Sequence, residues 1–269
     1  MSSSDATLST VSEPVATATP PGVDPRLREL RRVAIVPALN EERSVGRIID
    51  ELRAFDPGLD IVVVDDGSVD GTAHAAHSRG ARVLRLPFNL GIGGAVQTGF
   101  RFAFENDYDI AVRVDGDGQH DPSQLSRVLE PVLRGDADIA VGSRFTAEDV
   151  AGYRSSRSRR VGIRLLASVV SRIVGQRVTD PTSGFQALNR QGIELFAHDY
   201  PHDYPEVEAI VMVFRHRLRL LEVPVEMRER AGGRSSITAL RSVYYMVKVL
   251  LAIFVGMFRR NVVPQEDSE

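Results

Sequence analysis

The chain has 269 residues, of which 43% are hydrophobic, and it carries a formal net charge of −3 and no cysteine. This size and apolar content suit one α/β core with a small appendage. The charge balance gives no general attraction to nucleic acid, and the lack of thiols excludes disulfides and cysteine-bound metals and fits a reducing compartment.

The N-terminal residues 1–31 open with a stretch rich in Ser, Thr, Ala and Pro, without a basic start or an apolar core. This is not the pattern of a secretory signal, and we expect a disordered tail. The short acidic segment 261–269 is expected to be disordered as well.

Between residues 33 and 142, apolar runs alternate with amphipathic stretches. The predicted strands are Val33–Pro37, Ile61–Asp65, Arg82–Leu86, Ile110–Val114 and Ile139–Val141. The predicted helices are Glu41–Ala54, Asp70–Arg79, Gly93–Glu105 and Pro122–Leu133, with Asn40 and Asp70 as candidate caps. This alternation predicts an α/β fold with a mostly parallel sheet flanked by helices, and ligands bind beyond the carboxyl ends of such strands.

The second half of the chain is less regular. We predict a helix at Arg154–Val174, a loop at Thr179–Phe185, a helix at Pro205–Arg217 and an edge strand at Leu220–Met227, which Pro224 interrupts.

A last amphipathic helix is predicted at 237–260. Its apolar part is about 33 Å long, close to the ~30 Å of a bilayer core. Arg241 and Lys248 lie within it, however, on a polar or small stripe. This pattern favours a helix lying in the membrane surface, with packing on a partner subunit, as in a homo-oligomer, as the alternative.

Asp115, Asp117 and Gln119 follow the predicted strand at 110–114 on every second residue. Three converging oxygen ligands suit Mg²⁺ or Mn²⁺, which keep waters and share substrate phosphates. The motif therefore favours a nucleotide diphosphate site, and a solvated Asp-Gly turn is the alternative.

Polar residues also end the first two strands. Asp66 is placed to accept hydrogen bonds from a base or ribose, while Asp65 can bond local backbone. Capping and turn roles explain both residues equally well.

Five arginines and no acid lie within residues 154–164: Arg154, Arg157, Arg159, Arg160 and Arg164. Guanidinium groups suit phosphate oxygens and anionic membrane surfaces. The alternative is a solvated basic helix face.

Six motifs occur in a fixed order: Pro-Ala-Leu-Asn-Glu, Val-Asp-Asp-Gly-Ser-Val-Asp-Gly-Thr, Asn-Leu-Gly-Ile-Gly-Gly-Ala, Asp-Gly-Asp-Gly-Gln-His, Gly-Ser-Arg-Phe and Asp-Pro-Thr-Ser-Gly-Phe. This series resembles the family-2 glycosyltransferases with the GT-A fold, a Rossmann-like α/β fold. The resemblance is strongest to the dolichol- or polyprenyl-phosphate mannose and glucose synthases, and it implies a transferase domain over residues 32–236.

The resemblance implies a role for each matching residue. The donor nucleotide would be bound by Pro37, Ala38, Glu41, Val64, Asp66, Asp115, Gly116, Asp117, Arg144, Arg230 and Arg234, and the metal by Asp115, Asp117 and Gln119. The acceptor phosphate would meet Arg159, Arg160, Asp180 and Ser183. Asp117, Arg144 and Glu208 would be catalytic.

Two positions depart from the family's pattern. Gly118 stands where a larger residue is common. In the segment that begins at Arg230, Ser236 stands where lysine is expected, and Arg234 is a candidate replacement for that cation.

The resemblance implies a metal-dependent, inverting transfer of mannose or glucose from GDP-mannose or UDP-glucose to a polyprenyl phosphate at the cytoplasmic membrane face. A phosphate dianion needs orientation by arginines and no general base. If a glycan hydroxyl is the acceptor instead, Glu208, or Glu206 beside it, is the candidate base. A catalytically silent sugar-nucleotide scaffold is the remote alternative.

Overall fold

The computed structural model describes residues 24–27, 29–145, 157–202 and 205–228, without the side chains of residues 25 and 157–161. The predicted helix at 237–260, the tail at 261–269 and most of the predicted N-terminal tail lie outside these residues. The last part of that tail is folded, because a 3-10 turn forms at Pro25–Leu27 and Leu27 is buried in the core.

The strands of the described residues are β1 Arg32–Ala38, β2 Asp60–Asp65, β3 Arg82–Arg85, β4 Ile110–Arg113, β5 Ile139–Ser143, β6 Gln186–Asn189 and β7 Leu220–Pro224. All of them except β6 lie close to predicted strands. The helices are α1 Val45–Phe55, α2 Thr72–Ser78, α3 Gly91–Glu105, α4 Leu125–Leu133, α5 Arg157–Val174, α6 Arg190–His198 and α7 Pro205–Arg215. A 3-10 turn at Pro122–Gln124 precedes α4.

Within the described residues the sheet has seven strands in the order β3-β2-β1-β4-β6-β5-β7. All pairs are parallel except those of β6, which runs antiparallel to both β4 and β5. The predicted mostly parallel sheet is confirmed, and β7 is the predicted edge strand. Neither β6 nor α6 was predicted. A strand of four residues, such as β6, is too short to show the alternation of apolar and polar residues that identifies a strand.

The two predicted helix caps have different outcomes. Asp70 lies one residue before the N-cap of α2, Gly71, and its carboxylate accepts a hydrogen bond from the amide of Thr72, the first residue of the helix, at 3.0 Å. The cap predicted at Asn40 is wrong. Its φ is +55°, its side-chain oxygen accepts from the amide of Val69 at 3.0 Å, and α1 begins only at Val45.

The core forms one layer on each face of the sheet, as the alternation of side chains along a strand requires. In β1, Val33 and Ile35 pack with α3, α6 and α7, while Ala34 and Val36 pack with α1 and α4. The sheet is therefore covered on both faces by helices, and its carboxyl edge remains available for a ligand.

Asp138, just before β5, joins the amino ends of β5 and β7 to the carboxyl end of β6. Its carboxylate accepts hydrogen bonds from the amide of Arg219 at 2.8 Å, from the Arg219 guanidinium at 2.8 Å and from Asn189 at 2.9 Å. The hydrogen bonds from Arg219 lower the pKa of Asp138 from 3.8 to about 2.

We expect Asp138→Asn to lower the free energy of unfolding by about 2 kcal/mol near neutral pH. Because the folded-state pKa is the lower one, the stabilisation is present above about pH 4 and is lost as the pH falls through about 2. Urea unfolding of both proteins between pH 7 and pH 2.5 measures the difference. Asp136→Asn, at an exposed neighbour, is the control, and a pH-independent difference contradicts the prediction.

Candidate active site

The carboxyl ends of the four parallel strands β1, β2, β4 and β5 lie along the same side of the sheet, and the polar motifs follow them. The amide of Asp66 donates to the carbonyl of Ala38 at 2.9 Å, and the amide of Gly116 donates to that of Pro37 at 3.0 Å. Pro37 is also the register partner of Val64. Five residues predicted to bind the donor nucleotide are therefore neighbours in the fold.

The carboxyl group of Asp66 has a structural role at the start of α3. This buried group accepts a hydrogen bond from the amide of Leu90 at 2.7 Å. Burial raises the pKa of Asp66, against the opposing effect of the Leu90 and Gly91 amides. One oxygen thus anchors the entry of α3, in addition to the contact predicted with a base or ribose.

Asp65 is fully buried and accepts a hydrogen bond from the amide of Ser68 at 2.9 Å, which is the predicted local role. Gly67 lies between them with a φ of +75°. A Cβ there would lie 2.9 Å from the backbone of Phe88 and Asn89. The close approach of this turn to the entry of α3 therefore requires glycine.

Glu41 is held near the loop that follows β4. Its carboxylate accepts a hydrogen bond from the Ser44 hydroxyl at 2.8 Å, and its amide donates to the Thr72 hydroxyl at 2.8 Å. The Ser44 hydroxyl also lies 2.7 Å from the carbonyl of Gly116. Ser44 was not predicted as a site residue, because it fell inside the predicted helix Glu41–Ala54.

The loop with the three candidate metal ligands is a tight turn. Asp117 accepts a hydrogen bond from the amide of Gln119 at 3.0 Å, and its other oxygen contacts the Gln119 side chain. Gly118 has a φ of +78°, which glycine adopts without strain. Asp115 is partly exposed, with 28% of its side chain accessible.

These residues fit a hard divalent cation. Two carboxylates and the side-chain oxygen of Gln119 supply only oxygen ligands, and Mg²⁺ and Mn²⁺ take the rest from water and phosphate. The described part of the chain holds no cluster of three His, Cys, Asp or Glu side chains that could bind a metal. A shared site, completed by a diphosphate, therefore suits this loop better than an all-protein cage.

The side chain of His120 packs against this loop and supports it. It is buried, its Nδ1 accepts a hydrogen bond from the amide of Asp115 at 2.9 Å, and its ring stacks on Phe185 with centroids 5.1 Å apart. Burial lowers the pKa of His120. These contacts give His120 a structural role.

Arg113, the last residue of β4, was not predicted as a site residue. Its buried guanidinium donates to Asp115 at 3.1 Å, to the Tyr200 hydroxyl at 3.2 Å and to Glu206 at 2.8 Å. Burial acts to lower the pKa of Arg113, but the neighbouring negative charges outweigh it and raise that pKa. The signal in the sequence was an arginine inside an otherwise apolar strand, because a buried charge requires a partner of opposite charge.

Arg144 and Asp180 were predicted separately, on the phosphate and acceptor sides, and the structure pairs them. The guanidinium binds both carboxylate oxygens, with Nε at 2.6 Å and Nη2 at 2.7 Å. The Asp180 side chain is fully buried and that of Arg144 is 7% exposed. Asp180 therefore orients Arg144.

The loop between α5 and β6 is fixed from two sides. The Ser183 hydroxyl donates to the carbonyl of Gly142 in β5 at 2.5 Å. Glu222 of β7 accepts hydrogen bonds from the amides of Thr179 at 2.7 Å and Asp180 at 2.9 Å. Ser183 thus secures the loop from inside, and its contact with an acceptor phosphate stays a prediction.

The remaining acceptor-side residues lie on two helices. Arg159 and Arg160 are in the first turns of α5, and their side chains lie outside the description. Glu206 and Glu208 are in the first turn of α7, where Glu208 is half-buried.

The chain leaving β7 runs beside the candidate metal loop. The amide of Arg228 donates to the carbonyl of Gln119 at 2.8 Å, and its guanidinium binds Asp121 at 2.7 Å. Arg230 and Arg234 follow, outside the described residues.

Comparison with known proteins identifies the family. The profile described as glycosyl transferase family 2 matches residues 33–196. An undecaprenyl-phosphate mannosyltransferase of Micrococcus luteus is 34% identical over 78% of this chain and 88% of its own length. A polyprenol monophosphomannose synthase of Mycolicibacterium smegmatis is 30% identical over 77% of this chain and 81% of its own.

A solved structure shows the same fold. The crystal structure of glucosyl-3-phosphoglycerate synthase from Mycobacterium tuberculosis, in complex with Mn²⁺, uridine diphosphate and glucosyl-3-phosphoglycerate, has a TM-score of 0.65. It is 22% identical and covers 86% of this chain and 81% of its own. The expected GT-A fold is confirmed, and the chain belongs to glycosyl transferase family 2.

Proposed function

We propose that this glycosyltransferase moves a hexose from a nucleotide diphosphate sugar to a polyprenyl phosphate, with inversion at the anomeric carbon. The observation that carries the proposal is the similarity, over more than three quarters of the chain, to enzymes named for mannosyl transfer to polyprenol phosphates. GDP-mannose and UDP-glucose are the candidate donors, because the relatives include both mannosyl- and glucosyltransferases.

The donor would lie across the carboxyl ends of β1, β2 and β4. The base and ribose would contact Pro37, Ala38, Glu41, Val64 and Asp66, and the ribose and diphosphate would contact Asp115 and Gly116. Asp115, Asp117 and Gln119 would hold Mg²⁺ or Mn²⁺, which neutralises charge on the leaving diphosphate. Arg144, oriented by the two hydrogen bonds that it donates to Asp180, would stabilise the same charge.

The acceptor would be an anionic lipid. Its phosphate oxygen attacks the anomeric carbon while the bond from that carbon to the donor phosphate breaks, and a nucleoside diphosphate leaves. The acceptor phosphate is largely a dianion at neutral pH, with a second pKa near 6, so no base is needed. Arg159 and Arg160 would orient it, with Asp180 and Ser183 fixing the neighbouring loop, and Arg230 and Arg234 would complete the donor side.

We propose that the enzyme works at the cytoplasmic face of the membrane, where it would meet both the nucleotide sugar and the lipid phosphate. The predicted helix at 237–260 would lie in the membrane surface, or pack on a partner subunit. Among the described helices, none has the length and apolar character needed to span a bilayer.

A transfer assay with radiolabelled donors tests both the acceptor class and the role of Glu208. We expect the wild type to label a polyprenyl phosphate but no oligosaccharide, and Glu208→Gln to retain a substantial part of this activity. A carboxylate base contributes about 10²–10⁴-fold to attack by a hydroxyl. Labelling of an oligosaccharide by the wild type, abolished in Glu208→Gln, favours the glycan alternative. Glu194→Gln, on the exposed surface of α6, controls for the loss of charge.

A further inference from the structure

One buried guanidinium is shared by two carboxylates on opposite sides of the site. Arg113 donates from Nε to Asp115 at 3.1 Å and from Nη2 to Glu206 at 2.8 Å. Its side chain is 1% exposed, whereas those of Asp115 and Glu206 are 28% and 17% exposed. The contact joins the candidate metal loop after β4 to the first turn of α7.

The surroundings of Arg113 fix this arrangement. Its backbone pairs with Gln186 in the centre of the sheet, and its Nη1 donates to the buried Tyr200 hydroxyl at 3.2 Å. A Cβ on Gly184 would lie 2.7 Å from Nη2, so the loop covers the guanidinium closely. Arg113 therefore cannot move to follow one carboxylate without breaking its contact with the other.

The positive charge of Arg113 affects how strongly the candidate metal loop can bind a cation. A guanidinium that paired with Asp115 alone would neutralise it and repel a cation bound beside it. Glu206 balances that positive charge from the other side, at a depth where solvent screening is weak. With Glu206 present, Asp115 keeps its effective negative charge although it is hydrogen-bonded to an arginine.

We infer that Glu206 is a positioning residue that acts through Arg113 to set the cation affinity of the Asp115–Gln119 loop. The inference rests on the proposed function, because it requires Asp115 to be a cation ligand. It assigns Glu206 a task other than that of a general base, since its carboxylate is bound to the guanidinium. It also links the acceptor-side helix α7 to the donor side of the site.

Binding of Mn²⁺ alone, followed by the paramagnetic resonance signal of the free ion, tests this directly. Glu206→Gln keeps an oxygen that can accept from Arg113 but removes the charge. We expect its dissociation constant for Mn²⁺ to rise about tenfold, the order of one lost charge interaction at a partly buried site. At saturating Mn²⁺ we expect kcat to stay within about threefold of wild type, because the geometry is preserved.

Three variants separate charge from structure. Tyr200→Phe removes a neighbouring contact of Arg113 without a change of charge, and Glu130→Gln removes a surface glutamate that pairs with Arg26 and Arg134. Both are expected to bind Mn²⁺ within twofold of wild type. Glu206→Asp keeps the charge and is expected to stay within threefold, even where Glu206→Gln melts at a lower temperature.

The outcomes distinguish this inference from the proposed function. If the wild type binds Mn²⁺ and Glu206→Gln binds it equally well, only the inference is overturned. The same holds if Tyr200→Phe weakens binding as much as Glu206→Gln, because packing then explains the effect. A wild type that binds no Mn²⁺, either alone or with GDP or UDP present, contradicts the cation site, and both proposals fail.

Discussion

Replacing Asp117 by asparagine is expected to reduce hexose transfer by about 10²–10³-fold, the usual cost of losing one group that stabilises developing charge. Asparagine keeps an oxygen that can accept the hydrogen bond from the Gln119 amide, which measures 3.0 Å in the native turn. The turn should therefore persist while the cation loses a charged ligand. We expect the loss to appear in kcat and in the Mn²⁺ concentration needed for half-maximal rate.

Steady-state assays over a range of Mn²⁺ concentrations, with thermal melting of both proteins, measure this effect. The control is Asp136→Asn, the same chemical change at an exposed turn before β5, which should leave the rate unchanged. Removal of the metal with EDTA should reduce the wild-type rate to that of Asp117→Asn, and added Mn²⁺ should restore it. A variant with full activity would exclude Asp117 as a metal ligand.

Replacing Asp180 by alanine is expected to lower the free energy of unfolding by about 3–5 kcal/mol, because it leaves the Arg144 guanidinium buried without its carboxylate. The native pair has two hydrogen bonds, at 2.6 and 2.7 Å, and both side chains are almost inaccessible. A further contact joins Arg144 to Thr182 at 2.8 Å. We also expect transfer to fall, since Arg144 loses its fixed orientation.

Thermal melting and urea unfolding measure the stability, and the expected fall in melting temperature is roughly 10 °C. Thr182→Val, which removes one neutral partner of Arg144, should cost only about 1 kcal/mol. A double variant Arg144→Met, Asp180→Leu should recover part of the stability but not the activity. If Asp180→Ala unfolds like the wild type, the pair does not stabilise this loop.

The Arg144–Asp180 pair also connects the donor side of the site to the acceptor side. Asp180 and Ser183 belong to a loop that Glu222 holds through the amides of Thr179 and Asp180. This loop places Arg144 beside β5 and covers Arg113 through Gly184. A substitution in it is therefore expected to affect the donor side as well as the acceptor side.

The sequence by itself determined the α/β class, the parallel strands through β5, the loop at 179–185 and the family. Local signals were sufficient here, because alternating apolar runs report burial on both faces of a sheet. The ordered motifs, from Pro37 to Phe185, each lie at a strand end, in a loop or at the start of a helix. Their residue types can be recognised without a structure.

The tertiary structure decided which of these residues meet. The antiparallel strand β6, the Arg144–Asp180 pair and the Arg113–Glu206 pair join positions 36 to 93 residues apart. Sequence periodicity reports only on neighbours along the chain. The partner of a buried charge is fixed by the packing of strands and helices around it, so only the folded chain reveals it.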